Sequence, residues 1–177
     1  MSLQVPVGKQ RNFILEEPAR INLLTGSVRS TKTWAVNLKV LKDIVSLPDG
    51  NILFVGNTGT SLYRNVLSQI KDLVGKANFE MRAGKKECEI FGRTVWIEGA
   101  DNVSSYKKIE GESLLMAYID EWSTIPESFT NMLLSRLSDH GARLYGTCNP
   151  ETPRHYIYKN FIQRSFLCLC FEGPSFF

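Results

Sequence analysis

Three short stretches carry residue types that could do chemistry, and each lies where an apolar run gives way to polar residues. The first is Gly26-Ser27-Val28-Arg29-Ser30-Thr31-Lys32-Thr33, after the run Ile21 to Leu24. A glycine-led loop between a strand and a helix converges backbone N–H groups and the positive end of the helix dipole on an anion. A lysine there reaches the β- and γ-phosphates of a nucleotide, and the neighbouring hydroxyl holds Mg²⁺. Lys32 and Thr33 occupy those places. The usual spacing is G-x-x-x-x-G-K-[ST], and Thr31 stands where the second glycine is expected. A Cβ there makes positive φ or a close phosphate approach more costly. An ordinary strand-to-helix turn with a chance Lys-Thr pair would read the same, so the rest of the chain decides.

The second stretch is Asp120-Glu121, at the end of the apolar run Leu114 to Ile119. In a parallel sheet, ligands sit beyond the carboxyl ends of the strands. An aspartate delivered there binds Mg²⁺ or its water through oxygen. A glutamate one residue on orients and deprotonates an attacking water. Two carboxylates on a turn are common by chance; after a buried strand, and well downstream of a phosphate loop, they gain weight. The third stretch is Thr147 and Asn149 before Pro150, where hydrolysing motors place a γ-phosphate sensor. A turn rich in Gly, Asn and Pro is the competing explanation.

The elements that must position these residues follow from periodicity. Residues 1–20, with Pro6, Gly8 and Pro18, read as a loose N-terminal arm. Gln10 in this arm stands where nucleotide-binding motors often place an adenine contact, although a plain surface arm accounts for it too. Lys32 to Ser46 carries Trp34, Leu38, Leu41 and Val45 on one helical face, stopped by Pro48-Asp49-Gly50. Ile52 to Val55 is a second buried strand, and Leu62, Val66, Ile70 and Val74 form the stripe of a second helix. Strand, helix, strand, helix points to a parallel sheet with crossover helices. Glu87 to Phe91 and Thr94 to Glu98 flank Gly92-Arg93 as a β-hairpin. Residues 99–111 read as a surface loop. Thr124 to Glu127 reads as a capping box launching a helix with Phe129, Met132, Leu133 and Leu137 on its stripe. Ala142 to Tyr145 begins another strand, Thr152 to Ile162 a short helix, and Phe166 to Phe171 a last strand.

Composition bounds the class. A chain of 177 residues with 43% apolar and 22% charged residues is expected to be one soluble domain. With 21 Lys+Arg against 18 Asp+Glu, the charge permits a nucleic-acid partner without arguing for one. The four cysteines form no C-x-x-C pair and only two histidines are present, which argues against a structural zinc site. No signal pattern or bilayer-length apolar run occurs, so a cytosolic protein without membrane contact is expected.

Taken together, the motifs resemble the ATPase domain of the large terminase subunit of tailed bacteriophages. Gly26 to Thr33 resembles that family's phosphate loop with an internal arginine, Leu114 to Glu121 its Walker B block, and Leu144 to Pro150 its coupling motif. The resemblance covers about residues 10–162. It implies an α/β P-loop NTPase fold of the RecA-like, additional-catalytic-glutamate class, mostly parallel with flanking helices and a β-hairpin insertion. It implies ATP hydrolysis driving double-stranded DNA into a procapsid in the host cell cytoplasm. The cofactors implied are ATP and Mg²⁺, and the partners are DNA, the portal protein, the small terminase subunit and further copies in a ring, with a monomer conceivable when alone. On this resemblance, residues 26–33, with Gln10, Thr147 and Asn149, bind nucleotide. Thr33 and Asp120 hold the metal. Glu121 is the catalytic base, and Arg29 stabilises γ-phosphoryl charge or reports nucleotide state. Lys107, Lys108 and Arg136 are further candidates for a contact to DNA or to a neighbouring subunit's nucleotide.

The whole of 1–177 is expected to form a single ATPase domain, 1–20 being the arm and 163–177 the C-terminal strand and tail. No second acidic cluster suited to a two-metal nuclease is evident, so nuclease activity is not expected of this chain. Two other classes stay open: another P-loop enzyme, such as a helicase-type translocase or a small-molecule kinase, and an interaction domain disabled for nucleotide by Thr31. Glu121 argues against a kinase, which must not pass its phosphoryl group to water.

Overall fold

The computed structural model describes residues 8–26, 32–149, 154–163 and 169–171, with backbone alone for Ala83 and 169–171. The order is α1 (Gly8–Leu15), β1 (Ile21–Gly26), α2 (Lys32–Ser46), β2 (Ile52–Gly56) and α3 (Gly59–Leu62). A π-helical turn, Tyr63–Leu67, carries α3 directly into α4 (Ser68–Val74). Then come β3 (Phe79–Arg82), β4 (Glu87–Ile90), β5 (Arg93–Gly99), a 3₁₀ helix (Val103–Ile109), β6 (Met116–Ile119), α5 (Glu127–Arg136), β7 (Arg143–Cys148) and β8 (Leu169–Phe171).

The strands form one sheet in the order β3-β4-β5-β2-β6-β7-β1-β8. From β5 to β8 every pairing is parallel, and β3-β4-β5 is antiparallel. Both faces of the sheet are covered, which is why its central strands read as unbroken apolar runs. On one face Leu24, Phe54, Tyr118 and Tyr145 pack with Val36, Val40 and Ile44 of α2 and with Val66 and Ile70. On the other, Leu23, Val55, Ile119 and Leu144 pack with Phe129 and Leu133 of α5. This is the mostly parallel P-loop architecture expected, with its hairpin insertion.

Several local expectations are corrected. Residues 8–15 of the supposed loose arm are α1, pinned by buried Phe13. The buried face of α2 is Ala35, Val36, Val40, Leu41 and Ile44, whereas Val45 is 67% exposed and Trp34 and Leu38 are half-buried. The face turned because α2 also buries polar side chains. Asn37 meets Gln69, Lys39 donates to the carbonyls of Ile14 and Glu16, and Asp43 accepts from Arg143 and Tyr145. An apolar pattern does not register them. Of the expected stripe Leu62, Val66, Ile70 and Val74, the first three are fully buried and Val74 is half-buried.

The hairpin turns at Phe91-Gly92, one residue earlier than expected, since Ile90 pairs with Arg93. Both turn residues have positive φ, 51° and 79°, matching the twist of the flanking strands. The expected loop 99–111 contains a 3₁₀ helix whose Asn102 forms the capping box. The box expected at Thr124 is absent: α5 starts at Glu127, and Thr124 Oγ1 donates to Glu121 O. The strand β3 has no counterpart in the sequence expectation. No helix among the described residues is long and apolar enough to cross a membrane.

Candidate functional site

The strand order places β7 between β1 and β6, so the phosphate-loop strand and the acidic strand are not neighbours. Two strand spacings, about 10 Å, separate them. Register sets Leu23, Gly146 and Ile119 in one row. One residue on, β1, β7 and β6 present Leu24, Thr147 and Asp120 at the carboxyl edge, so the tip of β7 fills the gap.

Gly26 ends β1 at φ 152°, a conformation that L side chains rarely adopt. Lys32 starts α2 with its side chain largely buried, and Nζ donates to Gly26 O at 2.8 Å. Burial lowers the Lys32 pKa, opposed by the thiol of Cys148 at the end of β7. The lysine is thus drawn toward the strand end where phosphates bind in such folds. Thr33 follows, half-buried, in the first turn of the helix.

Asp120 is 4% exposed and held by two side-chain donors. Thr147 Oγ1 donates to Oδ1 at 3.0 Å, and Asn65 Nδ2 donates to Oδ2 at 3.1 Å. Burial raises its pKa, while Asn65, Thr147 and a backbone N–H bond pull it down. Glu121 is exposed, in the left-handed region at φ 49° and ψ 52°, and its N–H donates to Thr147 Oγ1 at 3.1 Å. Such a conformation costs a non-glycine residue on the order of 1–3 kcal/mol. Its neighbour Trp122 holds it there. The indole is fully buried, donates from Nε1 to Thr130 Oγ1 at 2.9 Å, and lies 4.9 Å from the ring of Phe161. Desolvation, then the charge of Asp120, raises the Glu121 pKa, which makes its carboxylate a better proton acceptor.

Asn149 lies at the end of β7 with Oδ1 buried and without a hydrogen-bond partner among the described residues. Gln10 lies half-buried on α1. Ser27, Val28, Arg29, Ser30 and Thr31 lie outside the described residues, so the loop and its arginine are not placed. Lys108 donates to Gly99 O at 2.6 Å and lies 3.8 Å from Glu98, Lys107 is exposed, and Arg136 Nε meets Met132 Sδ. A cleft of about 660 Å³ at the ends of β2 and β5 includes Tyr63, Met81, Lys86 and Lys108 but neither Asp120 nor Glu121.

The structure thus joins Asp120, Glu121 and Thr147. Sequence reasoning missed Asn65 and Trp122; the aromatic beside the acidic pair was a visible signal, and Asn65 had none. Thr33 and Asp120 supply hydroxyl and carboxylate oxygens, which suit a hard cation that takes few protein ligands and completes its shell with phosphates and water. The described residues contain no cluster of three or more His, Cys, Asp or Glu that could hold a metal alone.

Comparison with known proteins agrees. No curated protein matches the chain by sequence. Among solved structures, the large terminase of a thermophilic bacteriophage superposes with a TM-score of 0.79 at 23% identity, over 95% of this chain and 45% of that one. The same protein in complex with ATP-gamma-S gives a TM-score of 0.77 at 21% identity, over 95% and 45%. The N-terminal domain of the DNA packaging ATPase from bacteriophage phi29 gives 0.55 at 13% identity, over 88% and 90%. The chain therefore spans under half the length of the large terminases it matches first, and these likenesses establish the fold. The model of the phage terminase large subunit family matches residues 18–167, most of the chain, and the chain belongs to that family.

Proposed function

We propose that this chain is an ATP-hydrolysing motor domain that drives double-stranded DNA into a procapsid. The observation that carries the proposal is the acidic edge: a buried Asp120 and an exposed, more basic Glu121, both tied to Thr147 on the strand beside the phosphate-loop strand. Lys32, with the loop 26–31, neutralises the phosphates, and Gln10 contacts the base. Thr33 and Asp120 hold Mg²⁺, which when bound screens the β- and γ-phosphate charge. Glu121 takes the proton of the attacking water as its oxygen bonds to the γ-phosphorus. The bond to the bridging oxygen breaks, and ADP leaves with that electron pair. Arg29 steadies the γ-phosphoryl charge, while Thr147 and Asn149 sense its loss.

DNA, the portal protein, the small terminase subunit and neighbouring copies in a ring are the partners of this activity, and host cytoplasm is its place. The match of a DNA packaging ATPase domain and of a terminase crystallised with ATP-gamma-S supports the assignment.

The test is phosphate release with ATP and Mg²⁺, with and without DNA and portal, for the parent and Lys32→Ala. Turnover that is lost in the folded variant and rises with DNA supports the motor. Equal turnover in both removes the phosphate-loop assignment. ATP binding without DNA dependence in the whole assembly favours another P-loop enzyme.

A further inference from the structure

We infer that Asn65 is a positioning residue for the Asp120 carboxylate, reached across the sheet edge from the helix that follows β2. The inference rests on the nucleotide site proposed above. Asp120 has two side-chain donors from two different elements: Thr147 on β7 fixes one oxygen and Asn65 fixes the other. With both oxygens held, the free lone pairs of the carboxylate have one orientation, which is what a hard cation with strict geometry requires.

The helix is built to deliver Asn65 there. Leu62, Val66 and Ile70 recur every four residues and are all fully buried. At 3.6 residues per turn, each such step would rotate the stripe by roughly 40° around the helix. The π-helical turn Tyr63–Leu67 inserts a residue and holds the stripe on the core. Asn65 sits in the middle of that turn, half-buried and aimed at β6. Turns of this kind are rare and often occur at functional positions.

The same helix grips the other half of the site. Gln69, four residues beyond Asn65, accepts from Asn37 Nδ2 at 3.4 Å. Asn37 is fully buried on α2, one turn after Thr33. One polar helix edge, Asn65 and Gln69, therefore spans from the element bearing Thr33 to the strand bearing Asp120. Asn65 fixes the carboxylate, and Gln69 links the same helix to α2.

The experiment measures binding of fluorescently labelled ADP to the purified chain in EDTA and across a Mg²⁺ titration. The parent is compared with Asn65→Ala and with Asn65→Leu, which keeps the branched side-chain skeleton if the alanine variant folds poorly. The expected result is that both variants raise the Mg²⁺ concentration at half-saturation by about tenfold or more, with binding in EDTA unchanged. A merely structural role would weaken both conditions together, and that result overturns the inference. So does an unchanged Mg²⁺ midpoint in folded Asn65→Leu. A parent that binds no labelled ADP sinks the nucleotide-site assignment itself, and one that binds it without any Mg²⁺-dependent part sinks the metal role of Asp120 and Asn65 with it.

Discussion

Thr147 Oγ1 donates its proton to Asp120 Oδ1 at 3.0 Å across the β6–β7 edge, and Thr147 Oγ1 itself accepts the N–H of Glu121 at 3.1 Å. One side chain therefore orients the carboxylate and pins the backbone from which the neighbouring glutamate projects. A loss of γ-phosphate felt at the end of β7 would reach both acidic residues through a single atom.

Thr147→Val tests that link, because it keeps the shape and removes both bonds. Expected is a folded protein whose turnover falls by about ten- to a hundredfold, the usual cost of losing a group that orients a ligand-bearing side chain. Thr147→Ser should recover most of it. Full activity in the valine variant, read by phosphate release, would show that the hydroxyl is dispensable.

The acidic pair should separate by role. Glu121→Gln is expected to bind ATP with Mg²⁺ and lose turnover, since an amide holds water but takes no proton. Asp120→Asn is expected to weaken the Mg²⁺-dependent part of binding. A thermal signature accompanies it. Burial raises the Asp120 pKa in the fold, so the ionised form is disfavoured there relative to the unfolded chain. Its cost to stability is present at neutral pH and fades as pH falls through the raised pKa toward the ordinary carboxylate range near about 4. Asp120→Asn should therefore melt higher than the parent at pH 7, with the gap closing on acidification. A gap that widens on acidification refutes this account.

What the sequence made legible follows from which signals are local. Asp120, Glu121 and Thr147 were readable because each follows an apolar run, and a parallel sheet sends such ends to one edge. The helices of Lys32–Ser46 and Glu127–Arg136 were readable as helices. The face of α2 was not, because Asn37, Lys39 and Asp43 are buried there by partners as distant as Tyr145. Asn65 was illegible for the same reason: its partner lies 55 positions away and nothing periodic marks it. Phe91 at φ 51° shows that a tight hairpin can force positive φ on an aromatic, which shifted the turn from the expected Gly92-Arg93.

Gly146 should be intolerant of any side chain. A Cβ there would lie 2.4 Å from Trp122 Cε3, closer than carbon atoms approach. The indole cannot retreat readily, being fully buried and bonded to Thr130. Gly146→Ala should cost about 1–3 kcal/mol of stability, the usual cost of overpacking, and should displace Glu121, which precedes the indole. Denaturant unfolding checks the first effect and turnover under native conditions the second. A variant as stable and as active as the parent would mean that Trp122 has room to move.

The last prediction concerns Thr31, which stands where the phosphate loop is expected to carry glycine. If the nucleotide-bound loop needs glycine-like dihedrals or a close backbone approach at that position, the threonine strains it by on the order of 1–3 kcal/mol. Strain confined to the bound loop lowers ATP affinity by roughly tenfold or more. Thr31→Gly is then expected to bind a slowly hydrolysed ATP analogue more tightly than the parent and to raise turnover. The opposing case is also physical. Thr31 immediately precedes Lys32, the first residue of α2; at ordinary helical dihedrals a threonine is harmless there, and glycine loosens the helix start. The dissociation constants of the two forms decide between them, and unchanged or weaker binding in the glycine variant refutes the strained loop.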